Sequence, residues 1–150
     1  MSTIEFLIPR RFDPTAAVDG VWHTVRDELG QHYGEFLVTL MDEHSLDYKL
    51  RVQRIAKKRE GQEMPVIPHG QVPTADQQKV IDRASIEVLV DLSITDWRNL
   101  PTKSGKTPPF TRELAVEYLT QAIFAADDLA HFARNIRNFQ PTSVEEIEKN

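Results

Sequence analysis

The chain has 150 residues, the size of one domain, and folding at that length hides roughly two-thirds of the surface of the unfolded chain. A composition of 40% hydrophobic and 27% charged residues is that of a globular protein and excludes wholesale disorder. A net charge of −5 argues against nonspecific nucleic-acid binding, zero cysteines remove disulfide and thiolate chemistry, and no apolar run approaches the ~18 residues of a membrane span.

Met1-Ser2-Thr3-Ile4-Glu5 lacks a basic stretch ahead of an apolar core, so no secretory signal is expected. Ile4-Glu5-Phe6-Leu7-Ile8 reads as a short strand stopped by Pro9, which cannot donate to a ladder. Gly20 opens Val21-Trp22-His23-Thr24-Val25, rich in β-branched and aromatic residues. Alternation places Val21, His23 and Val25 on one face, Trp22 and Thr24 on the other. Arg26 to Tyr33 is a polar connection, and Gly34 leads into Glu35-Phe36-Leu37-Val38-Thr39-Leu40. The pair predicts an antiparallel hairpin with a long loop.

Ser45 is a good N-cap for a short helix reaching about Glu60. Leu46, Leu50 and Ile55 mark one face, and Lys49, Arg51, Arg54, Lys57, Lys58 and Arg59 make the rest basic, the last of them complementing the helix dipole. Gly61 to Pro73 holds Pro65, Pro68 and Gly70 and predicts an extended loop. Thr74 with Gln77 fits a capping box, followed by an apolar stripe of Val80, Ala84, Val88 and Leu92 with Ile81 and Leu89 beside it. This helix should reach about Trp97 and end before Pro101. Pro101 to Phe110 forms a second loop, and Thr111 caps a long amphipathic helix to about Asn138, whose stripe includes Leu114, Ala115, Tyr118, Leu119, Ala122, Ile123, Ala126, Ala130, Ala133 and Ile136. Pro141 stops it, and Ser143 with Glu146 caps a last turn.

The fold class is therefore α+β: an N-terminal β-hairpin or small antiparallel sheet followed by a three- to four-helix bundle. One domain is expected, with residues 1–60 as hairpin and short helix, 61–73 as loop, 74–140 as the helical part and 141–150 as a frayed tail.

A search for chemistry returns no catalytic or metal set. Asp127 and His131 share a helix face, but zinc needs three or four ligands. His44 beside Ser45 has no Gly-x-Ser-x-Gly elbow around it. Ser104-Gly105-Lys106-Thr107 ends like a phosphate loop, yet Pro101 stands where the upstream glycine belongs and Pro108-Pro109 follow where the helix should start. The basic run Arg51 to Arg59 lacks base-reading aromatics beyond Tyr48 and reads as a solvated face. More telling are Trp97, Phe110, Phe124, Phe132 and Phe139, which carry more apolar bulk than one helix face hides. With Ile136 they are the candidate protein-binding residues, and Phe132, Ile136 and Phe139 are the ones expected to form an exposed patch.

The order of features resembles the tail assembly chaperones of long-tailed bacteriophages. Gly20-Val21-Trp22 opens a hairpin, Gly34-Glu35-Phe36-Leu37-Val38 returns, and Ser45-Leu46-Asp47-Tyr48-Lys49-Leu50 starts a basic helix. After the loop come Ile86-Glu87-Val88-Leu89-Val90-Asp91, then Asp96-Trp97-Arg98 and Gly105-Lys106-Thr107-Pro108-Pro109-Phe110-Thr111, similar to that family's Val-x-Asp-Trp stretch, Gly-Lys-x-x-Pro-Phe turn and closing helix. The resemblance covers about Gly20 to Asn138, and its one departure is the wide gap between Val90-Asp91 and Asp96-Trp97.

It implies a non-enzymatic protein of the host cytoplasm, without cofactor or metal, that binds the tape measure protein, recruits the tail tube protein and leaves before the tail is complete. Homo-oligomers are compatible with that role; nucleic acid and membrane are not expected partners. The interaction surface then lies between the helices of residues 74–97 and 111–138. The alternative is a structural virion protein, such as a head–tail connector or tail completion subunit. A small enzyme or metal-binding regulator ranks below both.

Overall fold

Gly20 and Gly34 set up the hairpin. Both adopt positive φ, and a Cβ on Gly20 would meet Leu37 at 3.0 Å while one on Gly34 would meet Leu100 at 3.0 Å, so a side chain at either position is strained. Strand β1 (Val21–Arg26) pairs antiparallel with β2 (His32–Val38). Asp27 closes the turn by accepting from the Leu29 and Gln31 amides, each at 2.9 Å. The structure is a computed structural model that describes residues 3–61 and 64–140. The expected last turn at Ser143 and Glu146, and the tail 141–150, lie outside the described residues.

A third strand departs from expectation. The helix predicted to reach Trp97 stops at Ser93, and Ile94–Arg98 becomes β3, antiparallel to β2, giving the sheet order β1-β2-β3. The cause is tertiary. Thr39, just past β2, donates its amide to Ser93 O at 2.8 Å and its hydroxyl to Leu92 O at 3.2 Å, while the Ser93 hydroxyl returns a hydrogen bond to Thr39 O. These bonds take the carbonyls that a helix end leaves orphaned, and β-branched Ile94 and Thr95 continue as strand. The α+β arrangement of a small antiparallel sheet followed by helices is observed.

Helix α1 (Pro14–Asp19) is an addition, although its signal is visible: Asp13 caps it, accepting from the Thr15 amide at 2.9 Å, and Pro14 occupies the first turn. Ile4-Glu5-Phe6-Leu7-Ile8 forms no strand; it is exposed and irregular. Helix α2 (Leu46–Lys58) starts at Ser45, whose hydroxyl accepts from the Tyr48 amide. Its inward face differs from expectation. Ile55 is its buried residue, with Tyr48 and Arg51 half-buried, whereas Leu46 and Leu50 point away from the body. Helix α3 (Ala75–Ser93) begins with the predicted Thr74–Gln77 capping box.

The long helix expected over 111–138 is divided into α4 (Arg112–Gln121), α5 (Ile123–Arg134) and a 3-10 turn (Ile136–Phe139). Ala122 sits at φ −103, ψ 66 between the helices. The break lets α4 lie along α3 while α5 turns onto β1 and β2. The core gathers at that junction: Val25, Phe36 and Val38 from the sheet meet Leu119, Leu129, Ala133 and Phe139, all buried. The C-terminal half of α3 is buried on several sides, through Ile86, Leu89, Val90 and Leu92, so it forms a central post where a one-sided stripe was expected.

Candidate protein-binding groove

A groove lies between helices α3 and α5. Its walls are Ser85, Val88, Leu89 and Leu92 on α3 and Ala126, Asp127, Ala130 and Arg134 on α5; Tyr48 of α2 and Met41 close one end. The α5 wall presents two alanines, Ala126 and Ala130, whose small side chains leave space opposite α3. The cavity measures about 230 Å³. That is below the ~300 Å³ from which cofactor and drug-sized pockets start, and it suits one or two aliphatic side chains presented by another chain. Past Tyr48 and Arg134 it continues into a polar cleft of about 270 Å³ lined by Arg11, Asp42, Glu43, His44 and Ile136. Arg11 pairs with the buried Asp42 carboxylate at 3.0 Å, fixing the far wall.

The six predicted binding residues do not form one patch. Trp97 is 5% exposed and Phe139 is fully buried, so both are core. Trp97 donates its indole N–H to Pro108 O at 2.7 Å and meets Phe110 edge-on at 5.3 Å, so the Asp-Trp-Arg stretch and the Pro-Phe turn of the sequence hold the loop of residues 101–110 to the sheet. Phe132 is half-buried, stacked on His23 at 4.0 Å and edge-on to Phe139 at 5.8 Å. Phe124 is 39% exposed beside Tyr33 on another side of the molecule. Ile136 alone among the six lines the groove system.

The expected surface between the helices of residues 74–97 and 111–138 is thus filled by packing where α3 meets α4 and open where α3 faces α5. Val88, Leu89, Leu92, Ala126 and Ala130 all belonged to the predicted stripes, but periodicity cannot distinguish a stripe that packs internally from one that stays uncovered. Met41, Tyr48, Ser85 and Arg134 carried no such signal.

Polar groups outside the groove make ordinary structural pairs. His23 Nε2 lies 2.6 Å from Asp128 Oδ2, joining β1 to α5 beside Phe132. Asp127 and His131 are exposed, and among the described residues no cluster of three or more His, Asp or Glu is placed to hold a metal. Arg112 clamps Asp91 through two guanidinium nitrogens and approaches Glu87, which also receives Arg59 at 3.4 Å. The Asp91 carboxylate, ahead of the opposing effect of burial, raises the Arg112 pKa. Glu35 accepts from Asn99 and Arg98, and these two bonds, Asn99 first, hold its carboxyl below the ordinary carboxylate value.

Residues 44–150 match the profile of a family described as YdaY prophage protein. The chain belongs to that family. Its phage origin follows, and the matched stretch begins one residue before the Ser45 cap and spans α2 through α5. Every groove wall residue except Met41 therefore lies within the family's extent. No curated protein and no solved structure matches the chain. No described helix is long and apolar enough to cross a membrane.

Proposed function

We propose that this YdaY-family protein is a tail assembly chaperone, which shields the apolar helical stripes of the tape measure protein in the host cytoplasm, helps bring tail tube subunits to it and leaves before the tail is complete. The observation that carries this reading is the α3–α5 groove: an apolar floor, a polar rim of Ser85, Asp127 and Arg134, and a volume suited to side chains of a docked helix. Family membership supplies the phage setting, and the resemblance in hairpin, basic helix and closing turn points in the same direction. Grooves of this size bind weakly one at a time; many copies along a long client hold it by multivalency. The reading assigns no catalytic residue and no cofactor.

The test is co-expression with the tape measure protein of the same prophage. The wild-type chain should raise the soluble fraction of the client, and Ser85→Trp, an exposed position that would fill the groove, should abolish that effect. Arg83→Trp, exposed on the opposite side of the same helix, should retain it. Equal behaviour of the two variants would overturn the groove assignment. Recovery of the chain at stoichiometric copy number in purified virions would instead make it a structural virion protein.

A further inference from the structure

Helix α2 is the least buried helix of more than two turns, and its outward face has a composition of its own. Taking 100° per residue, Ile55, Tyr48 and Arg51 point inward, so Leu46, Leu50, Gln53, Arg54 and Lys57 fall on the opposite side. Leu46 is 71% exposed and Leu50 46%, and Leu50, Gln53, Arg54 and Lys57 line a shallow concavity along the helix. The 13-residue helix carries five cations against one acid, in a chain whose net charge is −5. Arg51 is engaged internally, donating to Leu92 O at 2.7 Å, and Arg59 just beyond α2 reaches Glu87. Lys49, Arg54, Lys57 and Lys58 make no ion pair among the described residues. Asp91, which lines a cavity with Arg54, Lys57 and Lys58, is taken by Arg112.

We propose that the outward face of α2 is a second docking surface, whose occupant is an acidic amphipathic helix of a partner protein. Leucines at i and i+4 with cations flanking them match a partner stripe of leucines flanked by glutamates, pairing apolar contact with charge complementarity. A helix of this length, about 20 Å, accommodates three to four turns of a partner. Nucleic acid fits the face less well: leucines occupy its centre, no aromatic residue lies on it for base stacking, and the acidic remainder of the chain repels a polyanion. The surface lies on the side of α2 away from Tyr48 and the α3–α5 groove, and it does not depend on the chaperone reading.

Anisotropy titration of the full chain with labelled synthetic peptides tests it. One peptide of about 20 residues places leucines at helical spacing between glutamates; the second has the same composition scrambled to break the stripe. The striped peptide should bind saturably and at least about tenfold tighter than the scrambled peptide or a short DNA duplex. Its affinity should fall as salt rises from about 50 to about 500 mM. Arg54→Glu with Lys57→Glu, both at exposed positions, should remove binding without changing the circular dichroism spectrum, and that variant should bind a striped peptide with lysines replacing the glutamates. Ser85→Trp should leave this binding unchanged. Equal binding of striped and scrambled peptides, tighter binding of the duplex, or retention of binding by the charge-reversed variant would overturn the proposal.

Discussion

Helices α2 and α3 both start at a side-chain cap, Ser45 and the Thr74–Gln77 capping box, and both carry an amphipathic pattern, the sharper one on α2, yet they have opposite fates. Helix α3 buries Ala84, Ile86, Leu89, Val90, Leu92 and Ser93, whereas α2 buries Ile55. What holds α2 in place is largely polar: Arg51 on the Leu92 carbonyl and the Arg59–Glu87 pair. An amphipathic pattern thus reports that a helix has a preferred face, while the number of neighbours decides whether that face is covered. A helix fastened by a few polar tethers keeps the remainder of its surface available.

The comparison can be broken most forcefully at α3. Leu89→Ala removes a buried side chain from the central post and should cost about 2–5 kcal/mol in chemical denaturation; a loss below about 1 kcal/mol would show that the post is not central. Arg51→Met keeps the apolar stem but leaves Leu92 O without that donor, and a loss of about 1–3 kcal/mol is expected. An unchanged midpoint would mean that Arg51 does not tether α2. A third test concerns the sheet. The Glu35 carboxyl is held below its ordinary value by Asn99 and Arg98, so its contribution is complete above that ordinary value and is lost as pH falls through the depressed one. Glu35→Gln should therefore flatten the acid limb of the stability profile slightly and leave the neutral plateau shape intact. At the small end, Leu50→Ala on the outward face of α2 should change stability by less than about 0.5 kcal/mol; a larger loss would place that face against something in the folded chain.

The aromatic residues show where a sequence reading stops. The sequence places Phe132 in an exposed patch, but the ring is stacked on His23 and set against buried Phe139, so Phe132→Asp should partly unfold the protein, readable as a lowered melting midpoint. The relevant partner, His23, is 109 positions away in sequence, beyond the reach of any local pattern. The groove is a similar case. Its apolar walls were legible as stripes on two helices, but the end of α4 at Ala122 was not, because the chain has neither glycine nor proline there.

Local chemistry by itself determined the elements whose causes are local. Positive-φ glycines and β-branched runs specify the hairpin, side-chain oxygens at Ser45, Thr74 and Thr111 specify helix starts, and the α+β class follows from their order. Tertiary structure decided everything that requires a distant partner. Thr39 converts the end of α3 into strand β3, α5 packs on β1 and β2 while α4 packs on α3, and a groove remains between α3 and α5. Caps and turns are satisfied within a few residues and so are written in the sequence around them; strand edges and apolar faces are satisfied only by whatever the fold brings alongside.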